Sequence, residues 1–361
     1  MTRKRTPAMT EKERIEALLR REKPDRVPFW TMSHEVFAML QAGGTVTDTY
    51  KNPAECLPTW RKICRDFGWV SIPYLQYGAF GAWEFGGEIK LPESQYSFAP
   101  SVIRYPVETP EEALQLKIPD IKSSGTIPAL MELSKKSSQE KPDNEPWNVV
   151  CARVGPFTVA ANLPGPQKFA KWLIKAPEAC HHLLRIATGY LIGITLYWKE
   201  TFGIDGVLPY GAEPTAANQI ISPKQFEKFA FPYIKELQEQ ILSLGYKTTF
   251  MHICGEQNLN LPYWAQIPFG DPGIVSFGHE VTLETAAKYF PSDIIFGNLE
   301  PVIILTKTPE EVYEASRKVI EEGKSLPNGF IFSTGCSLPA TADPENVMAM
   351  TRAINDFGWY D

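Results

Sequence analysis

The segment Thr248-Thr249-Phe250-Met251-His252-Ile253-Cys254-Gly255 turns from apolar to metal-binding chemistry over its last residues and stops at a glycine. It reads as a buried strand whose C-terminal end opens into a site. Side chains at i and i+2 of an extended strand share a face, so His252 and Cys254 project together and can grip one ion. A third soft ligand, Cys336, closes Gly329-Phe330-Ile331-Phe332-Ser333-Thr334-Gly335-Cys336, which repeats the plan of apolar strand, small residues and cysteine. One imidazole and two thiolates suit Zn²⁺, with the fourth position left to substrate or water. The competing reading makes Cys254 and Cys336 ordinary core thiols and His252 a hydrogen-bonded core histidine.

The elements that must position these residues follow from hydrophobic patterning. Thr10 and Glu13 form a capping box that starts a helix running through Arg21. Arg26 to Met32 reads as a first strand that delivers Ser33, His34 and Glu35 at its end; Pro53 to Phe67 is helical and Trp69 to Tyr74 a second strand. An aromatic, glycine-rich loop follows and opens an excursion over about residues 76–146, the expected lid, in which 123–146 is a surface insertion or mobile connection. Further strands are expected at 149–154, 205–210, 248–254, 273–277, 293–297 and 329–335, and helices at 178–202, 223–244, 282–289, 309–322 and 344–357. Eight strands with helical crossovers predict a single (β/α)₈ TIM barrel over 1–361, α/β in class, with an N-terminal helical extension and an insertion after the second strand. Such a barrel collects its chemistry at the C-terminal strand ends. There the sequence puts His34, Tyr74, Tyr77, Glu213, His252, Cys254, His279, Glu280, Asn298, Glu300 and Cys336. His181 and His182 fall inside a helix and read as packing or surface residues.

Composition narrows the class. The chain has 361 residues, 43% hydrophobic and 22% charged, a globular profile. No stretch approaches a transmembrane span, and the basic start Met1–Arg5 leads into polar sequence, not the apolar run of a secretory signal. Six scattered cysteines lack the dense spacing of a disulfide framework, which points to a reducing cytoplasm. A net charge of −6 argues against nucleic acid and anionic membrane as main partners.

With these motifs in place the chain resembles the uroporphyrinogen decarboxylase superfamily over nearly its whole length. The resemblance rests on Arg14-Ile15…Ala17-Leu18-Leu19…Pro24-Asp25-Arg26-Val27-Pro28, His252-Ile253-Cys254-Gly255, Gly297-Asn298-Leu299-Glu300-Pro301 and Gly335-Cys336…Pro344-Glu345-Asn346-Val347. It departs from the decarboxylase in having no arginine after the first strand, and residues 154–316 contain only Arg185, too few bidentate cations for a substrate with eight carboxylates. It is more similar to the zinc methyltransferase branch, which includes methylcobamide:coenzyme M methyltransferases and enzymes that demethylate methoxylated compounds. That resemblance implies zinc on His252, Cys254 and Cys336, a homodimer, and a separate corrinoid protein docking over the barrel mouth; no cobalamin-ligating motif stands in this chain.

Zinc with two thiolates is a mild Lewis acid suited to activating a thiol. Removal of a methyl from an ether oxygen to cobalt(I) needs help at the departing oxygen, for which Glu213, His279 and Glu280 are candidates. Glu213 serves equally well as a carboxylate at a helix N-terminus, and His279, Glu280, Asn298 and Glu300 as turn-fixing groups. Trp30, Phe37, Tyr74, Tyr77, Phe80, Trp83 and Phe85 crowd the first two strand ends and the loop, enough aromatic surface for a methoxyaromatic to stack. Expected substrate contacts are Trp30, His34, Tyr74, Tyr77, Phe80, Trp83 and Asn298, while packing of the excursion accounts for the same aromatics without any substrate. The readings in contention are therefore methyl transfer from an O-methyl donor to a corrinoid protein, a thiol methyltransferase, a decarboxylase, and a barrel that binds without catalysis.

Overall fold

The computed structural model describes residues 7–75, 77–94, 96–97 and 99–360. The basic start 1–5 and Gln76 lie outside them. In chain order the strands are β1 (Glu88–Lys90), β2 (Ser101–Arg104), β3 (Val149–Val154), β4 (Val207–Ala212), β5 (Phe250–Ile253), β6 (Ile274–Phe277), β7 (Ile294–Leu299) and β8 (Phe330–Thr334). Strands β3 to β8 form one parallel sheet in chain order, and β1 and β2 form a separate antiparallel ribbon. Every residue of β3 to β8 is buried, as expected for parallel strands covered on both faces, and this is why they read as near-continuous apolar runs.

The first two expected strands are extended segments rather than ladder strands. Pro28 and Pro73 each remove a backbone donor, which a continuous ladder does not tolerate. The bonds that remain still dock both segments beyond β8. Trp30 N donates to Phe332 O at 3.1 Å, Phe332 N to Pro28 O at 3.0 Å, and Val70 N to Phe29 O at 2.7 Å. Side chains across the sheet reveal its curvature. The Trp30 ring lies 4.9 Å from Phe250 and 5.2 Å from Phe296, and Tyr74 lies 4.9 Å from Tyr210. Segments at one edge thus touch strands in the middle, so the sheet curls around a core built from alternate residues such as Ile72, Val150, Leu208, Phe250, Ile274, Phe296 and Ile331. Ile15 and Leu18 of the N-terminal helix Glu11–Leu19 join that core. The helix begins at the expected capping box, in which Glu13 N donates to Thr10 Oγ1 at 3.2 Å and Thr10 N to Glu13 Oε2 at 2.6 Å.

The excursion is more firmly built than expected. Ile127–Gln139 is a helix that buries Leu130, Met131 and Leu133, and Ser134 and Ser137 beside them. It is a packed crossover, not a mobile connection; serines on its buried face hid the apolar stripe from the sequence. Buried Glu84 ties the loop down by accepting from Tyr77 Oη (2.7 Å), Gly81 N (2.6 Å) and Thr126 Oγ1 (2.7 Å). Farther along, buried Glu145 takes two 2.9 Å bonds from Arg61 and one of 2.6 Å from Ser71, joining the end of the excursion to the helix Pro53–Phe67.

Candidate metal centre

The inward residues become polar toward the C-terminal end of the sheet. Phe250 is followed at i+2 by His252 and, just past the strand, by Cys254; Ile274 is followed by Ser276 and Ile331 by Ser333. Cys336 reaches the same place because Gly335 lets β8 run close to its neighbour. A Cβ at Gly335 would lie 3.1 Å from His279 N and 3.2 Å from Asn298 O, tighter than ordinary contact. The ligand atoms of His252, Cys254 and Cys336 lie within 4.8 Å of one another, and the two sulfurs are 4.0 Å apart.

The imidazole is set up as a ligand. Nδ1 stands 3.0 Å from Ser276 Oγ, the residue opposite His252 in the β5–β6 register. Nε2 is buried without a hydrogen-bond partner. A buried nitrogen left orphaned beside two sulfurs is what an absent ion accounts for, and ligation through Nε2 leaves the proton on Nδ1 to be donated to Ser276. The two thiols share a hydrogen bond, which holds Cys336 well below the usual thiol range and, together with burial, raises Cys254. A divalent ion would replace that shared proton. Gln257 Nε2 donates to Cys254 O at 3.0 Å and Thr334 Oγ1 donates to Cys336 O, fixing the backbone of both thiols.

The cluster opens into a cavity of about 330 Å³. Its other walls are Met32, Ser33, Glu35, Val36, Tyr50, Leu75 and Tyr77 on one side, the strand ends Val154 and Ala212, and the turn Ser337–Ala340. Among the described lining residues there is no lysine or arginine. The one carboxylate, Glu35, is 4% exposed with Oε1 buried and unpartnered. It begins the helix Glu35–Gln41, where the dipole favours a charged carboxylate; burial outweighs this and pushes the carboxyl up to about 8.

Of the residues proposed for substrate, Tyr77 lines the cavity, and Tyr74 sits just beneath it with its hydroxyl 3.2 Å from Ser33 N. Trp30 is fully buried against Phe250 and Phe296, deep in the sheet's core. Phe80 is packed between Tyr77 and Tyr190, and Trp83 is 41% exposed on the outside. His34 turns away from the cavity, its ring nitrogens 3.2 Å from Thr31 O and 3.2 Å from Cys64 Sγ, and burial lowers its pKa to about 4. Asn298 donates to Val281 O (2.8 Å) and Gly278 O (3.3 Å), tying loop to strand. The aromatic cluster is thus mostly packing. The extended segment 26–32 alternates as expected, but Trp30 lies too low along it to meet the mouth.

The expected acids also separate. Glu213 is fully buried and accepts from Phe157 N (3.1 Å), Thr158 N (2.8 Å) and Thr158 Oγ1, at the start of the helix Pro156–Asn162. Both oxygens are occupied, and burial opposed by these bonds leaves its carboxyl raised to about 7. His279 is half-exposed, 3.6 Å from Glu280 and 3.8 Å from Glu300, and with Asn298 it borders a separate open groove. Glu35 and Tyr50 line the cavity and Ser276 stands behind His252, positions for which the sequence suggested no role. A glutamate in the first turn of a helix carries no signal of burial, and Ser276 becomes visible only through the register that sets it against His252.

Residues 10–357 match the family Uroporphyrinogen decarboxylase (URO-D). The curated methylcobamide:CoM methyltransferase MtbA of Methanosarcina acetivorans is 28% identical over 96% of this chain and 98% of its own length. A uroporphyrinogen decarboxylase of Listeria welshimeri is 24% identical over 93% of this chain and 94% of its own length. Among solved structures, a methyltransferase from Methanosarcina mazei superposes with a TM-score of 0.80 over 97% of this chain and 99% of that one, at 22% identity, and shares the fold. The chain belongs to the uroporphyrinogen decarboxylase family, within its methyltransferase branch. No helix among the described residues is long and apolar enough to cross a membrane.

Proposed function

We propose that this enzyme takes a methyl group from a small O-methyl donor, a methoxylated aromatic, and passes it to the cobalt of a separate corrinoid protein, with zinc held by His252, Cys254 and Cys336. The barrel that carries the site is read as (β/α)₈, the two extended segments completing the ring begun by β3–β8. Bound zinc would supply Lewis-acid polarisation of the donor oxygen. This chain's own residues anchor the imidazole through Ser276, fix the thiols through Gln257 and Thr334, and keep the cavity apolar.

The observation that carries the reading is the cavity's charge. Coenzyme M bears a sulfonate, and an anion of that kind calls for a lysine or arginine. The described lining offers neither and adds a buried carboxyl, Glu35. An uncharged ether fits better, with a ring lying between Tyr50, Tyr77, Val36 and Leu338. The second reading, methyl transfer from a corrinoid to a thiol, is favoured by the curated methylcobamide:CoM relatives.

One experiment separates them. The zinc-loaded protein is mixed with a reduced corrinoid protein and with panels of methoxyaromatics, methanol, methylamines and thiols, and cobalt alkylation is followed by absorbance. Methyl–cobalt formation with methoxyaromatics supports the first reading. Demethylation of methylcobalamin by a small thiol, with no activity toward ethers, establishes the second.

A further inference from the structure

The departing oxygen of an ether needs a proton, and the groups expected to provide it do not face the cavity: Glu213 is occupied by donors, and His279 and Glu280 lie outside the lining. Glu35 does face it. The residue lines the cavity of about 330 Å³ together with His252, Cys254 and Cys336, so a small molecule that reaches the cluster also touches this wall. Oε1 is buried and unspent.

The titratable groups within electrostatic reach of Glu35 include Tyr50 from the helix Val46–Lys51, Cys64 from Pro53–Phe67 and Tyr74 from the extended segment. Burial raises all three, so each is neutral at physiological pH, and none supplies a cation to hold a carboxylate. Desolvation without a counter-charge therefore keeps Glu35 protonated to about pH 8, and a buried protonated carboxyl is a hydrogen-bond donor awaiting an acceptor.

Building on the ether reading above, we propose that Glu35 is the catalytic acid of the demethylation, its O–H bonded to the ether oxygen of the substrate and its proton delivered as the methyl–oxygen bond breaks. The step balances. The electron pair of cobalt(I) on the corrinoid partner forms the cobalt–methyl bond, the pair of the broken C–O bond stays on oxygen, and the Glu35 proton converts that oxygen to a hydroxyl. Cobalt is formally oxidised from +1 to +3, and the carboxylate left behind is reprotonated from solvent once the product departs. A zinc ion already charged by two thiolates is a weak Lewis acid, which leaves room for a proton donor at the same oxygen.

The test compares wild type, Glu35→Gln and Glu35→Ala, all zinc-loaded and full-length, on methyl ethers of phenols of graded acidity with a reduced corrinoid protein. Acid catalysis of this kind contributes about 100- to 10,000-fold, so Glu35→Gln should lose most rate on ethers of weakly acidic phenols and least on those of strongly acidic ones, with zinc content unchanged. A readout independent of turnover is infrared titration of the protein alone. In the wild-type minus Glu35→Gln difference spectrum, which cancels the contribution of Glu213, a protonated carboxyl band present at pH 7 and shifted by binding of a phenol is the expected result. A leaving-group dependence identical in wild type and Glu35→Gln, or the absence of that band, overturns the role of Glu35 while leaving ether demethylation standing. A wild-type protein inert toward every ether overturns both.

Discussion

Ser276→Ala should weaken zinc binding without emptying the site. Ser276 is fully buried, faces His252 across the β5–β6 ladder and stands 3.0 Å from the ring's Nδ1. In the metal-free protein the ring can shift its proton to Nε2, so loss of the serine oxygen is partly relieved. With zinc on Nε2 the proton is confined to Nδ1, and the alanine variant leaves a buried donor unsatisfied, which costs about 1–3 kcal/mol. Most of that falls on the zinc-bound form and corresponds to a ~10- to 100-fold loss of affinity, the range found when outer partners of ligating histidines are removed. Competition against a chromophoric chelator measures it directly. Cys336→Ala, run in parallel, removes a ligand and should abolish competition altogether. An unchanged affinity in Ser276→Ala beside a complete loss in Cys336→Ala would show that ring packing, not the serine, orients His252; retention of zinc by Cys336→Ala would remove the metal centre.

Cys336→Ala should lose zinc and methyl transfer together while its melting temperature stays near that of wild type, because the cluster sits at the end of a sheet whose core lies below it; unfolding of the variant in calorimetry would make the metal structural. Glu145→Ala strands the guanidinium of buried Arg61 without its bidentate carboxylate and should cost about 3–5 kcal/mol in urea unfolding, whereas Arg61→Met combined with Glu145→Leu should come close to neutral; equal losses in the two variants would contradict this. The folded Glu35 carboxyl, at about 8, lies above its ordinary value of 4.5. The folded state therefore binds this proton more tightly, and its contribution to stability is complete below pH 4.5 and is lost as pH rises toward 8. Glu35→Gln should flatten the decline of the denaturation midpoint across that window, and parallel curves for the two proteins would refute the raised carboxyl.

The convergence of His252, Cys254 and Cys336 was legible because strand periodicity fixes which side chains share a face, and both cysteines adjoin a glycine at a strand end. The parallel sheet was legible for the same reason, since strands buried on both faces spell themselves out as apolar runs. Height along a strand was not. Period two sends Trp30 inward correctly but does not say that it lies at the level of Phe250 and Phe296, one layer below the mouth. Nor could spacing reveal the burial of polar groups by other elements. Glu35 looks like any first-turn glutamate until the fold buries it, and Glu213 looks like a site acid until the N-terminus of Pro156–Asn162 claims both its oxygens.

These two carboxyls also show how one fold can hold acids in different states. Glu213 is surrounded by N–H and O–H donors that favour its charge against burial, whereas Glu35 meets groups that burial keeps neutral and remains the more strongly raised of the two. An acid that must give a proton at neutral pH belongs in the second environment. It lines the same cavity as His252, Cys254 and Cys336; on the proposed reading, an ether whose leaving group is poor would gain most from the arrangement and a thiol, which must lose its proton to react, would gain nothing from Glu35.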